Sequence, residues 1–180
     1  MIDGDNKFDA SQVQELIESW GGLAAFARSR HLDVLASNAL ARSLSPAYVP
    51  GANLARYTFL HSTVDPDSEV WTNVASDVVA LLRDSLEQHE EDATFLALVG
   101  ELATQSHLFA TLWAEPGRPV RRSATIIIRH DQLGMIALVY QELHISDDFD
   151  TVLVVLYPHA DDESRARFHR LRDSLITPAS

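Results

Sequence analysis

The residues that could carry chemistry are eight histidines, scattered serines and a surplus of carboxylates, and their spacing argues against most of what they could do. A zinc or iron site on a helix draws two histidines four residues apart, or a tight cluster of nitrogen and sulfur ligands. No such pair occurs here, and the chain has no cysteine. Disulfides, thiolate nucleophiles and cysteine-bound metals are therefore excluded, and no cofactor is expected. Ser, His and Asp are all present, but there is no Gly-x-Ser-x-Gly elbow, no phosphate-binding glycine loop and no dinucleotide fingerprint. The acids gather in runs such as 87–92 and 147–150, where a solvated charged surface is the ordinary explanation. The pattern points away from an enzyme. His130 alone is placed for a role: it ends the face carrying Ile126 and Ile128, where it could donate to an acidic ligand or close the following turn through the Asp131 backbone. A small enzyme using His130 with a nearby acid is the alternative from a different functional class.

The elements that would position these groups follow from hydrophobic period. Val13, Leu16, Ile17 and Trp20 recur at helical spacing after a possible Ser11 cap, and Gly21-Gly22 stops the run. The segments 23–29 and 34–36, separated by the turn-like 30–33, predict a hairpin. From Ala39 to Glu115 the period is helical, punctuated by Pro46, Pro50-Gly51 and Asp65-Pro66, which predicts three or four helices, with 92–115 as one run. Past Val120 the period becomes that of strands at Thr125–Ile128, Met135–Leu143 and Thr151–Tyr157, the first two joined by a tight turn at 131–134. Acids ahead of Arg165, Arg167, Arg170 and Arg172 suit a C-terminal helix over 161–176. Strands, then helices, then strands predict an α+β fold, an antiparallel sheet of about five strands with several helices on one face. Alternation places Ala124, Ile126, Ile128 and His130 together, and Ile136, Leu138 and Tyr140 together, opposite Thr125, Ile127, Arg129, Met135, Ala137 and Val139. Both faces are apolar: one can line a cavity, and the other meets the N-terminal helix or a partner subunit.

With 180 residues and 46% hydrophobic content the chain suits one well-buried domain. The expected division is an N-terminal amphipathic helix over 1–22 and the main unit over 23–180. Twenty-six acids against fourteen bases give a net charge of −12, which repels a phosphate backbone. No DNA contact is expected from this chain. No run is apolar enough for a membrane span, and the first residues lack the features of a secretion signal, so the expected location is cytoplasmic.

Several segments, in order, resemble one family. They are 32–41 with Asn38, 53–60 with the following Asp65-Pro66, the run 92–115 with its Leu-Val-Gly-Glu-Leu core and the Phe109 to Trp113 spacing, and 125–143 with His130, Gly134 and Tyr140. Together they resemble the ligand-binding domain of MmyB-like transcription regulators, over residues 23 to 158. Ser37 stands where that family usually has tryptophan, Asp131-Gln132 replaces its proline-containing turn, and Gln141 replaces a common acidic residue. The resemblance implies a PAS-like fold that senses a small molecule and acts on DNA through a helix-turn-helix domain of the XRE type absent from this chain. It also implies a fatty-acid-like ligand held between sheet and helices, with Arg56, Tyr57, Arg122 and Tyr140 as candidates for an acidic head group, because a buried carboxylate needs a paired charge or donated hydrogen bonds. Phe109, Trp113, Ile126, Ile128, His130 and Leu138 complete the expected ligand-binding set. Self-association as a homodimer through Val13, Leu16, Ile17 and Trp20 is expected as well, because a short amphipathic helix must bury its stripe. An empty dimerisation module is the remaining alternative.

Overall fold

The β-branched and aromatic runs pair into one sheet in the computed structural model, which describes residues 10–61, 69–88, 92–144 and 151–176. The strands are β1 (Ala24–Ser29), β2 (Val34–Ser37), β3 (Ser123–His130), β4 (Gly134–His144) and β5 (Thr151–Pro158). Their spatial order is β2-β1-β5-β4-β3, and every neighbouring pair is antiparallel. The β3–β4 turn closes on Gly134, whose φ of 76° lies in the left-handed region where a side chain is strained. With its helices the sheet makes an α+β, PAS-like fold, as the sequence leads one to expect.

The helices are α1 (Ala10–Glu18), α2 (Ala39–Leu44), α3 (Leu54–Arg56), α4 (Glu69–Gln88), α5 (Ala93–Gln105), α6 (His107–Ala114) and α7 (Asp162–Ile176). A 3₁₀ turn follows α2 at Pro46–Tyr48, and α3 runs on into a π-helical turn at Tyr57–His61. Among the described residues the middle of the chain therefore holds five α-helical segments rather than three or four, and the run 92–115 is two helices. Ser106 makes the break: its backbone is extended, and its Oγ accepts from Phe109 N at 3.2 Å, so it caps α6 while ending α5. The matched Asp65-Pro66 pair and the acidic run 147–150 lie outside the described residues, as does part of the run 87–92.

Asn38 shows how a single polar side chain fixes this architecture. Its Oδ1 accepts from Ala25 N at 3.1 Å and Ala41 N at 3.0 Å, capping α2, while its Nδ2 donates to Leu23 O at 2.8 Å and Ile17 O at 3.2 Å. One buried amide thus ties α1, β1 and α2 together and satisfies its full hydrogen-bonding capacity.

Three apolar clusters result. The inner face of the sheet, with Phe26, Val154, Leu156, Ile136 and Leu138, packs under α2 and under Phe168 and Leu171 of α7. A second cluster, including Leu82, Phe95, Leu102 and Phe109, forms among α4, α5 and α6. The third lies behind the sheet, where Val13 and Ile17 of α1 sit on Ala25, Ala27, Ala36, Leu153 and Val155. Three alanines leave room for the helix to approach closely. The stripe expected at a subunit interface is in large part spent on the chain's own sheet, with Leu16 left 38% exposed.

An ionic clip joins the first hairpin to the helical cluster. Asp92 caps α5 by accepting from Thr94 N and Phe95 N, and its Oδ2 accepts from His31 Nε2 and Arg30 Nη2, both at 2.7 Å. The His31 hydrogen bond, with the Phe95 amide and Arg30, holds its carboxyl well below the usual carboxylate range. A depressed folded pKa contributes stability that is present above the unfolded value of about 4 and is lost as pH falls below it. Urea midpoints measured from about pH 6 down to pH 3 should therefore fall on acidification, and Asp92→Asn should flatten that acid limb. An unchanged acid limb in the variant would release Asp92 from this role.

Candidate functional site

Strand register assembles the site. On the inner face Ser37, Phe26, Val154 and Glu142 lie side by side across β2, β1, β5 and β4, and Arg122 follows, its carbonyl accepting from Glu142 N at 2.8 Å. The next row holds Ala24, Leu156, Tyr140 and Ala124. Beyond it Leu138 pairs with Ile126, and Ile136 with Ile128. Polar groups thus occupy one end of this face and apolar groups the other. Ile136 and Leu138 are fully buried, whereas Ile126, Ile128 and Tyr140 are half-buried.

The polar end is built around Glu142. Arg28, one step along β1, reaches across β5 to Glu142 Oε1, and the two side chains are only 8% and 1% exposed. Glu142 Oε2 is buried and has no hydrogen-bond donor. The Arg122 guanidinium stands 3.7 Å from that oxygen, beyond hydrogen-bonding distance. Arg122 is otherwise engaged: Nη1 donates to His144 Nε2 at 2.6 Å, and Nη2 lies 3.9 Å from Asp84 of α4. Because arginine has no acceptor, His144 must present a bare nitrogen here, and burial together with Arg122 lowers its pKa accordingly. Tyr140 donates its hydroxyl to Arg121 O, and burial and Glu142 push its phenol up, so it stays a neutral donor. Arg121 grips Asp77 of α4 at 2.6 and 2.8 Å. The start of β3 is thereby tied to α4 by Arg121 and faced by Asp84 through Arg122.

The expected ligand-binding residues fall in two places. Arg122, Ile126, Ile128, Leu138 and Tyr140 share the inner face just described. His130 sits at its far end, with Nε2 3.1 Å from Ser43 O and Nδ1 accepting from Gln132 N at 3.2 Å and Leu133 N at 3.3 Å. Both ring nitrogens are thus occupied by backbone, in a turn-closing arrangement that uses the amides after Asp131. Arg56 lies elsewhere, forked onto Glu101 of α5 with Nη2 2.8 Å and Nε 3.0 Å from Oε2. Phe109 and Trp113 belong to the helical cluster, stacked at 5.4 Å, with Phe59 edge-on to Phe109 at 5.0 Å. Arg83 lies over Trp113 at 5.2 Å and donates to Glu115 O at 2.8 Å, closing the end of α6. Tyr57 opens the π-helical turn and is half-buried.

Arg28 and Glu142 were not among the expected residues. The signal for them is alternation: Arg28 shares a face with Ala24 and Phe26, and Glu142 with Leu138 and Tyr140, so each is a charge on a core-facing position. Among the described residues no three His, Asp or Glu side chains come together as a metal site, and no helix is long and apolar enough to cross a membrane.

Comparison with known proteins adds the family. No curated protein matches the chain. The family model described as the MmyB-like transcription regulator ligand binding domain matches residues 10–171, a span that takes in the whole sheet, α1 to α6 and most of α7. The chain belongs to the MmyB-like transcription regulator ligand binding domain family.

Proposed function

We propose that this domain senses a fatty-acid-like or other apolar molecule held between the sheet and the helices, and catalyses no reaction. The observation that supports the reading is the half-buried inner face of β3. Ile126 and Ile128 stay partly open beside Ile136 and Leu138, which are fully buried on the same face. Arg122 to Ile128 spans about 20 Å at about 3.4 Å per residue, long enough for an acyl chain. Arg122 and Tyr140 stand where the polar end of such a chain would lie, and His130, with both nitrogens on backbone, is spent on structure.

A ligand in that space acts by population shift: it favours whichever arrangement of sheet and helices it binds better, and by no more than its differential affinity. DNA is reached through a helix-turn-helix domain elsewhere in the regulator, in the cytoplasm, because the net charge of −12 disfavours direct contact. Two copies pair through the back of the sheet, where Ile127 is 38% and Met135 49% exposed beside Leu143 and Tyr157. Native mass spectrometry reads ligand and pairing together. A dimer carrying acyl-chain mass is the expected result. An apo dimer that takes up no added acyl compound would favour a purely structural dimerisation module and overturn the sensor reading.

A further inference from the structure

We propose that the polar end of the ligand is a neutral hydrogen-bond donor, a hydroxyl or amide N–H, and that Glu142 Oε2 accepts it. This rests on the preceding reading of an apolar ligand on the inner face, and it names the class of head group. Glu142 pairs with Arg28, and a carboxylate offers about four acceptor positions over its two oxygens. Arg28 serves Oε1. Oε2 is buried with no donor, and leaving such an atom unsatisfied is costly unless something else fills the place.

The charges around it decide what that something is. Glu142 and Asp84 are balanced by Arg28 and Arg122, with His144 bound as a neutral acceptor. A ligand carboxylate would add a third acid to this group, facing an oxygen that already repels it. An amine would leave an excess cation. A hydroxyl or amide keeps the balance and donates to Glu142 Oε2, which lacks a hydrogen-bond donor. Tyr140 has no proton to offer a carboxylate, because its hydroxyl donates to Arg121 O. Beyond the polar end, Ala124, Ile126 and Ile128 continue along the same face for the alkyl chain.

Calorimetric titration of the full chain at neutral pH with 1-decanol, decanamide, decanoate and methyl decanoate tests this. A hydrogen bond to a charged acceptor supports a preference of about tenfold or more for the alcohol and amide over the methyl ester, which cannot donate, and over the acid. In the double variant Arg28→Met, Glu142→Leu, which removes the buried pair as a unit so that neither charge is stranded, the preference should collapse to about onefold. Preference retained in the double variant would overturn the assignment of Glu142. Tightest binding by decanoate would leave the sensor reading standing and overturn the donor inference. Binding by none of the four would overturn both.

Discussion

Arg28→Met is expected to destabilise the domain by about 3 to 5 kcal/mol, the effect of stranding a buried charge by removing its partner. Methionine keeps much of the stem volume, so the loss is electrostatic rather than a cavity. Glu142 would then retain only Arg122 at 3.7 Å, with its carboxylate 1% exposed and cut off from water. Adding Glu142→Leu should restore most of the loss, because replacing a buried ion pair with apolar side chains is often neutral or better. Urea denaturation of the two variants checks both statements. A single variant that loses less than about 1 kcal/mol would mean that Glu142 finds another partner.

Phe109→Ala should cost about 3 to 5 kcal/mol for a different reason. Phe109 is fully buried at the centre of the helical cluster, edge-on to Phe59 and stacked on Trp113. Truncation removes its transfer free energy and both ring contacts, and leaves a void that α4, α5 and α6 can close only by moving together. Phe109→Leu should recover much of the loss. A cost for Phe109→Ala below about 1.5 kcal/mol would show that these helices close the void freely.

What could be read in advance follows from which interactions are local. The β3–β4 hairpin was legible because Thr125 to Leu143 combines strand period, β-branching and a glycine at the turn position that needs positive φ. The α5–α6 break was not. Apolar residues at helical spacing stand on both sides of Ser106, Leu98 and Leu102 before it and Phe109 and Trp113 after it, and one capping serine carries little weight in such a run until its hydroxyl is seen to accept from Phe109 N. The role of α1 was legible only in part: the stripe of Val13, Leu16, Ile17 and Trp20 shows a face to be buried but not against what, and the residues that receive it lie on three separate strands, Ala25 and Ala27 on β1, Ala36 on β2, and Leu153 and Val155 on β5. Arg28 and Glu142 are 114 residues apart, and nothing in either neighbourhood announces the other. Their pairing appears only once β5 has been placed between β1 and β4. Arg122 illustrates the converse: it was legible as a cation at a strand entrance, while Glu142, His144 and Asp84, which set what it can bind, were not.

The central claim, that an apolar ligand lies on the inner face of the sheet, is tested most directly by methyl NMR of the isoleucine-labelled chain. Ile126 and Ile128 point inward on β3, Ile127 points outward between them, and Ile17, on α1, lies behind the sheet. Titration with a ten-carbon alcohol or acid should shift the Ile126 and Ile128 methyls, leaving those of Ile17 and Ile127 close to their positions in the free chain. Shifts confined to Ile17 and Ile127, or none with either compound, would contradict it.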